Sequence, residues 1–439
     1  MHMSPNKFCG IDFGTTNSTV SVVVDGRPIA LDIDPLNSNP KILKSLFYLN
    51  PRGDRAVGQI AIKHYLDDLK NIPAKQPIII ETGRMIKTVE ASGISGVGKT
   101  ILVPELVEVD VSGRGRLLQS LKSVLTSTSF TGTSIFGKFF TLEDLLSEMM
   151  LEIKSRAEKI LDYRLDSVVL GRPVKYVGQD KEFLALSRME TISKNAGFKN
   201  IEFEYEPVGA ALNYGININE SQRIMVFDFG GGTLDVCIVQ FPDNKIISIS
   251  GRPIGGDLLN TYIVNQNLLK YFGANVTISG RLPMPNYFTD AMVNWYRLSL
   301  LKNVNDLSTI DELIIKSDDP NPIINLKNLI INDYGYLFFQ EVDRTKVLLS
   351  SSNEAEFNFH HPGLNLSEII TRNNFENSIS DLVAESKYCI NECLNSASMS
   401  VKDIDKVLVT GGSSRVPIFS QMLISYFGSN KIIQSDPYT

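Results

Sequence analysis

Two short stretches of this chain repeat one pattern, and that repeat constrains the fold more than any other feature. In residues 10–18 and 227–235, an apolar strand ends in an aspartate, a glycine-rich turn follows, and a β-branched strand leaves it. Asp12 aligns with Asp228 when the two stretches are superposed. A glycine-rich turn between sheet strands would explain either copy alone. Two copies in register predict paired β-hairpins and a chain made of two related halves.

The composition of both turns is suited to binding an anion. Glycines lack Cβ atoms, so backbone N–H groups can approach a ligand, and Thr15, Thr16 and Thr233 add hydroxyl donors. Hairpins that face each other would hold a polyphosphate from both sides. Asp12 and Asp228, at the strand ends, would then hold a hydrated Mg²⁺ ion through water, since this ion prefers oxygen ligands and keeps its waters.

Length and charge narrow the class of protein. A chain of 439 residues is too long to fold around a single hydrophobic core, so two or more domains are expected. A net charge of -6 argues against nucleic acid or an anionic membrane as the partner. No apolar run reaches membrane-spanning length and the start has no signal-peptide pattern, which predicts a cytoplasmic protein. A monomer is expected.

Three other features resemble sites but favour plainer interpretations. Cys389 and Cys393 would share a helical face, yet without a nearby histidine they are expected to be packing residues. His360 and His361 are predicted to lie in a solvated turn. Residues 93–100 match the Walker A pattern, but no strand precedes them and a β-branched, proline-broken segment comes next, so a flexible loop is predicted instead of a P-loop.

The rest of the chain alternates strands and helices, which predicts an α/β architecture. Residues 141–161 form an amphipathic helix pattern with Thr141 as N-cap and Asp144 in the capping-box position. Residues 72–115 read as a strand-rich insertion, and 279–335 have no clear pattern. A strand followed by glycine, arginine and proline occurs at 168–173 and again at 406–417, which extends the duplication beyond the hairpins.

With its motifs in this order along the sequence, the chain resembles the nucleotide-binding domain of the DnaK-type, seventy-kilodalton heat-shock chaperones. These chaperones belong to the actin and sugar-kinase superfamily. The matching segments run through nearly the whole chain and are 10–18, 206–211, 228–235, 255–256, 370–376 and 411–417. The layout looks most like the YegD-type branch, whose members have the ATPase domain without a peptide-binding domain. The resemblance implies an actin-like ATPase fold with duplicated ribonuclease H-like lobes and a nucleotide cleft between them.

The resemblance also implies roles for individual residues. Asp12 and Asp228 would hold Mg²⁺, Lys122 would orient the attacking water, and Glu206 and Asp235 would order the metal's waters. The residues implied to bind ATP or ADP are Gly14, Thr15, Thr16, Asn17, Gly230, Gly231, Gly232, Thr233, Gly255, Gly256, Asp343, Lys346, Ser350, Gly411, Gly412, Ser413 and Arg415.

Two departures from the family pattern bear on the base. Asp343 stands where the family has glutamate, and Val347 stands where it has an arginine beside the base. Adenine selectivity is therefore an open point. Residues 435–439 would begin a return to the first lobe.

The predicted domains are lobe I over 1–220, with an insertion at about 40–140, and lobe II over 221–434, with an insertion at about 258–350. The predicted function is a slow, Mg²⁺-dependent ATPase that acts as a nucleotide-driven switch on client or co-chaperone proteins. Two alternatives remain: a sugar-type small-molecule kinase, and an actin-like filament or nucleotide-binding interaction module with little turnover.

Overall fold

The computed structural model describes residues 7–90, 99–176, 182–216, 218–293 and 295–434. The strands in these residues are, in chain order, β1 (Phe8–Phe13), β2 (Asn17–Val24), β3 (Arg27–Ala30), β4 (Leu43–Lys44), β5 (Leu46–Leu49), β6 (Arg55–Val57), β7 (Ile78–Glu90), β8 (Lys99–Val109), β9 (Arg116–Gln119), β10 (Gly132–Ile135), β11 (Lys138–Thr141), β12 (Ser167–Arg172), β13 (Asn200–Tyr205), β14 (Gln222–Phe229), β15 (Leu234–Phe241), β16 (Lys245–Arg252), β17 (Thr277–Ile278), β18 (Leu282–Pro283), β19 (Glu354–His361), β20 (Leu364–Thr371), β21 (Lys406–Thr410) and β22 (Ile432–Gln434).

The helices are, in the same order, α1 (Gln59–Asn71), α2 (Leu142–Leu161), α3 (Glu182–Asn195), α4 (Glu206–Gly215), α5 (Gly256–Ile263), α6 (Asn286–Ala291), α7 (Trp295–Leu300), α8 (Val304–Lys316), α9 (Asn321–Ile331), α10 (Gly335–Ser351), α11 (Arg372–Ser378), α12 (Ser380–Ser396) and α13 (Pro417–Phe427). Short 3-10 turns include Leu121–Val124 and Gly412–Arg415. Within the described ranges, no helix has both the length and the apolar character needed to cross a bilayer.

Two sheets share one topology. The first has the order β13-β12-β1-β2-β3, and the second has the order β22-β21-β14-β15-β16. In each sheet the hairpin strands pair antiparallel, while β1 pairs parallel with β12 and β14 pairs parallel with β21. The duplication predicted from the two hairpins is therefore present in the strand order as well. We call the first sheet with its packed helices lobe I and the second sheet with its helices lobe II.

Each sheet has its own apolar core. In lobe I the core includes Ile11, Val20, Leu170 and Met149, and in lobe II it centres on the buried second hairpin. Helix α4 comes directly after β13 of lobe I but packs on lobe II, where Val208 and Ala211 contact the face of β14 and β15. A Cβ at Gly215 would lie 1.9 Å from the ring of Phe241, so only glycine allows this approach. Helix α4 therefore connects the lobes beneath the cleft.

The structure agrees with three local predictions. Helix α2 begins with the predicted capping box, because Thr141 accepts from the Asp144 amide and Asp144 accepts from the Thr141 amide. Cys389 and Cys393 are buried packing residues of α12. Residues 72–115 do contain a long ribbon, the antiparallel pair β7 and β8.

One local prediction was wrong, and the structure adds detail to three other segments. His360 and His361 end strand β19, since the cross-strand pairing continues through them and the turn is made by Pro362 and Gly363, whose φ is +82°. Residues 372–396 form two helices, α11 and α12, which are separated at Ile379. The segment 279–335, which has no clear sequence pattern, contains helices α6 to α9. Most of the Walker A match lies outside the described residues, and its last two positions begin strand β8.

Candidate nucleotide site

The two glycine turns approach each other across the cleft between the lobes. A Cβ built on Gly231 would lie 3.0 Å from the Thr16 hydroxyl, and one on Gly232 would lie 3.5 Å from the Thr15 hydroxyl. Gly14 belongs to the same tip, where Ser45 donates to its carbonyl at 2.8 Å. Donors from both lobes thus converge on one space, as the sequence predicted.

Acidic side chains surround one lysine behind these turns. Asp12 lies near the end of β1, Asp228 lies on β14 directly opposite Asp235 on β15, and Glu206 is the first residue of α4. Lys122, in the 3-10 turn of lobe I, has its Nζ 3.5 Å from Glu206 Oε1, and its side chain is 9% exposed. We call these five residues the carboxylate cluster. All five predicted catalytic residues therefore lie together.

Burial and like charge perturb the acids of the cluster. Burial, with Glu206 next in effect, raises the pKa of Asp235 to about 7, although the Val174 amide and the Thr233 hydroxyl donate to its carboxylate at 2.8 Å. Burial and the charges of Glu206, Asp235 and Asp12 raise the pKa of Asp228 well above its ordinary value. Asp12 has an exposed side chain, but desolvation by the surrounding protein, together with the charge of Glu206, also raises the pKa of its carboxyl.

The cluster favours the charged form of the lysine, whereas it favours the neutral form of the acids. Burial alone would lower the pKa of the Lys122 ammonium, but Glu206 and Asp12 beside it raise the pKa above its ordinary value. Lys122 therefore stays charged at neutral pH. One cation among four acids leaves the cluster with excess negative charge when the acids are ionised.

This residue set fits a hydrated Mg²⁺ ion. Carboxylate oxygens are the ligands that Mg²⁺ prefers, and the buried Glu206 Oε1 accepts no hydrogen bond from any described residue, although Lys122 lies at ion-pair distance. No three His, Cys, Asp or Glu side chains in the described ranges converge at the spacing of direct metal ligands.

Three glycines of lobe II hold neighbouring backbone against the second hairpin. A Cβ at Gly255 would lie 2.3 Å from the Gly231 carbonyl oxygen, and the Gly256 amide donates to the Gly230 carbonyl at 3.0 Å. Gly411, with φ +82°, has no room for a side chain beside Phe229 and Asp228. Gly255 and Gly411 therefore require glycine because two backbone segments meet there.

The predicted adenosine residues lie on the same side of the cleft. Lys346 on α10 donates to Asp343 at 2.7 Å and reaches the Gly256 carbonyl at 3.4 Å. Ser350 lies one turn later on α10, where its hydroxyl donates to the Lys346 carbonyl. Ser413 donates to the Gly230 carbonyl at 2.7 Å. Gly412 and Arg415, on either side of this serine in sequence, are exposed. In lobe I, the buried Oδ1 of Asn17 has no hydrogen-bond partner in the described part of the chain.

Sequence reasoning missed residues that approach the site from other elements. Tyr176 interacts electrostatically with Lys122 and Glu206, and burial raises the pKa of its hydroxyl. Lys44 on β4 pairs in register with Asn17 and faces Asp343 of the opposite lobe, while burial lowers the pKa of its ammonium. Neither residue belongs to a recognisable motif, because each reaches the site only through tertiary packing.

A second set of polar contacts also joins the two lobes. Arg114 of lobe I donates to the Asn332 carbonyl at 2.9 Å and pairs with Asp333 at 3.2 Å. Lys302 pairs with the same carboxylate at 2.7 Å, and the Tyr65 hydroxyl donates to the Asp333 carbonyl. We call Tyr65, Arg114, Lys302 and Asp333 the interlobe clamp. It holds the lobes together in this structure.

Cavity size does not identify the site. A cavity of about 420 Å³ lies between α10 and β19, lined by Leu337, Arg344, His361 and neighbours. A much narrower one, lined by Phe13, Thr15, Lys122 and others, runs beside the carboxylate cluster. The residues that line this second cavity all belong to lobe I, whereas charged and hydrogen-bonding groups of both lobes converge between the two glycine turns.

Relatives of known family cover almost the whole chain. Chaperone protein dnaK of Cyanidioschyzon merolae is 25% identical over 96% of this chain and 58% of its own length. Chaperone protein dnaK of Guillardia theta is 26% identical over 95% of the chain and 55% of its length. The chloroplastic stromal 70 kDa heat shock-related protein of Pisum sativum is 22% identical over 98% of the chain and 51% of its length.

The chain thus spans between half and three fifths of the length of these relatives. The family model for Hsp70 protein matches residues 120–278 and 337–437, which is more than half of the chain. These segments contain Lys122, Glu206, Asp228 and Asp235. With the duplicated sheets and the facing hairpins, the match shows that the chain is a member of the Hsp70 family with an actin-like ATPase fold.

Proposed function

We propose that this protein binds ATP and ADP with Mg²⁺ between its lobes, hydrolyses ATP slowly, and changes lobe closure with the bound nucleotide. The observation that supports this best is the pair of glycine turns that face each other in front of the carboxylate cluster. The proposed branch within the family is the YegD-type branch, and the proposed partners are client or co-chaperone proteins.

Phosphate binding would come from both lobes. The turns at 14–17 and 230–233 offer backbone N–H groups and threonine hydroxyls, which bind a polyphosphate without fixed positive charge. Asp343, Lys346, Ser350 and Arg415 would contact the nucleoside, with the exposed Arg415 guanidinium stacking on the base. Such a nucleotide bridges the lobes, so its phosphates would set their separation.

Hydrolysis would depend on positioning and charge. Lys122 would stabilise the charge on the γ-phosphate and orient the attacking water, while Glu206 and Asp235 would accept hydrogen bonds from ordered waters. Asp12 and Asp228 would hold a hydrated Mg²⁺ ion, which supplies neutralisation of phosphate charge. The raised pKa values of the acids mean that the cluster tends to hold protons, which a binding cation would displace.

Calorimetric titration with ATP, ADP and GTP, each with and without Mg²⁺, tests the binding part of this proposal. We expect one nucleotide per chain, tighter binding with Mg²⁺, and a preference for adenine. A phosphate-release assay on the same protein then tests turnover.

Transfer of the γ-phosphate to a sugar instead of water would contradict the proposal, as would nucleotide-dependent sedimentation of filaments. No binding of ATP at millimolar concentration would also reject it.

A further inference from the structure

A buried arginine of lobe I binds the segment that comes after the Lys122 turn. Arg188 on α3 is 8% exposed. Its Nη1 donates to the carbonyl of Leu125 at 2.7 Å, of Ser127 at 2.9 Å and of Val124 at 3.3 Å. A guanidinium can satisfy several carbonyls at fixed angles, which an ammonium cannot do in the same way. Arg188 belongs to none of the sequence motifs.

These carbonyls are coupled directly to Lys122. The Leu125 amide donates to the Lys122 carbonyl at 3.2 Å, while the Leu125 carbonyl accepts from Arg188. The turn is also buried at both ends through Leu121 and Leu125, which are 8% and 1% exposed. Arg188 therefore holds the peptide that closes the Lys122 turn.

The turn needs such an anchor because its start is strained. Ser120 has φ +53°, in the left-handed region that non-glycine residues seldom occupy. Its conformation is held by the Ser123 amide and hydroxyl, which donate to the Ser120 carbonyl at 3.0 and 2.6 Å. A turn that begins in a strained conformation stays in place only if its other end is fixed.

The arginine itself is held by a second helix. Its Nε lies 2.8 Å from Glu143 Oε1, and Glu143 belongs to the first turn of α2. Arg188 thus joins α2, α3 and the Lys122 turn. Its charge is balanced by Glu143, so the contact is complete without a ligand.

We propose that Arg188 is a positioning residue for Lys122, which it keeps 3.5 Å from Glu206 and directed at the cluster. The inference rests on the proposed function, since it concerns the lysine that would act on the γ-phosphate. Loss of Arg188 would let the turn relax, and Lys122 would move from its position while the nucleotide-binding turns stay intact.

The test is a double-mutant cycle with Arg188→Met and Lys122→Ala. We expect Arg188→Met to lower kcat by about 10–100-fold, as small misplacements of catalytic groups do, with little change in KM for ATP. In the Lys122→Ala background the same change should alter kcat by less than about 2-fold, because two residues acting through one group are not additive.

Arg156→Met is the matched control. Arg156 is also a partly buried lobe I arginine, and it donates to the carbonyls of Ile33 at 3.1 Å and Val57 at 2.9 Å and pairs with Glu152. None of these partners belongs to the segment 120–127 that contains the Lys122 turn. The control should lose stability as Arg188→Met does but keep kcat.

A second measurement is independent of turnover. Lys122 should react slowly with an acylating reagent in the wild-type protein, because its side chain is 9% exposed and faces Glu206. Mass spectrometry should show faster acylation of Lys122 by about 10-fold in Arg188→Met, consistent with local opening, and no change in Arg156→Met.

Separate outcomes distinguish the two levels of the proposal. If the wild type lacks ATPase activity, the proposed function fails, and the acylation rates alone decide whether Arg188 positions Lys122. If the wild type is active but Arg188→Met leaves kcat and Lys122 acylation unchanged, the positioning role is rejected. An equal loss of kcat with and without Lys122 would also reject it.

Discussion

The carboxylate cluster and the interlobe clamp both combine charges at the cleft, but they differ in how those charges are balanced. In the cluster, four acids surround Lys122, and the buried Glu206 Oε1 has no hydrogen-bond donor among the described residues. In the clamp, Asp333 lies between Arg114 and Lys302, whose side chains are 7% and 8% exposed, and both cations have their anion within 3.2 Å. The cluster therefore carries excess negative charge when its acids are ionised, whereas the single acid of the clamp is held directly by two cations.

The two regions also differ in their relation to the family. Four of the five cluster residues fall within the segments that match the Hsp70 model, whereas every clamp residue falls outside them. The segments shared with the family thus contain most of the cluster, and the clamp lies in the rest of the described chain. We therefore expect changes in the cluster to affect turnover and changes in the clamp to affect nucleotide exchange.

The largest expected effect is on turnover in the cluster. Asp228→Asn removes charge at the position where Mg²⁺ and the phosphates would meet, so single-turnover phosphate release should slow by about 10²–10³-fold, as it does when one group that stabilises transition-state charge is lost. Asp333→Asn in the clamp should leave this rate within about 3-fold, since it makes no contact with the cluster. Equal losses in both variants would erase the distinction between the regions.

The next effect concerns pH and the stability of the nucleotide-free protein. The pKa of Asp235 is raised by burial to about 7, so the folded state holds its proton more tightly than the unfolded state does. Its contribution to stability is complete below about pH 3.9 and is lost as pH rises through about 7. The free energy of unfolding of Asp235→Asn, measured relative to that of the wild type, should therefore rise by on the order of 3 kcal/mol from pH 5 to pH 8.

Urea unfolding at the two pH values measures this difference. Saturating Mg²⁺ and ADP should reduce it, because the bound cation would stabilise the ionised acids. A difference between variant and wild type that is the same at pH 5 and pH 8 would contradict the placement of Asp235 in an acidic, buried cluster.

A smaller effect is expected on nucleotide release from the clamp. Asp333→Asn leaves Arg114 and Lys302 without their shared anion, which favours open lobes by about 1–3 kcal/mol because Asp333 itself is partly exposed. Dissociation of a fluorescent ADP analogue, measured by stopped flow, should accelerate by about 10–100-fold. Unchanged dissociation would show that the clamp does not hold the closed state.

The smallest effect tests a single hydrogen bond of the clamp. Tyr65→Phe keeps the edge-on ring contact with Tyr336 at 5.6 Å but removes the donor to the Asp333 carbonyl. The loss should be about 0.5–1.5 kcal/mol, which corresponds to a 2- to 10-fold faster release of ADP. An effect as large as that of Asp333→Asn would mean that this hydrogen bond, and not the ion pairs, contributes most to joining the lobes.

The sequence predicts the features that local patterns encode. The duplicated hairpins, the capping box at Thr141 and Asp144, and the convergence of Asp12 with Asp228 all result from short-range spacing or from the repeat itself. Gly255 and Gly411 were identified by the family resemblance, and the structure shows that each also lies where two backbone segments meet.

The features that could not be predicted depend on partners distant in sequence. Arg188 meets Leu125 across 63 residues, and Arg114 meets Asp333 across 219 residues, with no motif at either end. His360 and His361 were assigned to a turn because histidines before Pro-Gly resemble a loop, but pairing with β20 extends the strand through them. Tertiary pairing overrides local preference there.

A crystal structure of this chain with Mg²⁺ and a non-hydrolysable ATP analogue would test most directly whether the nucleotide joins the two lobes. We expect phosphates in contact with both Thr15–Thr16 and Gly231–Thr233, and a hydrated cation beside Asp12 and Asp228. Nucleotide bound by one lobe alone, or in the cavity between α10 and β19, would contradict the proposed site.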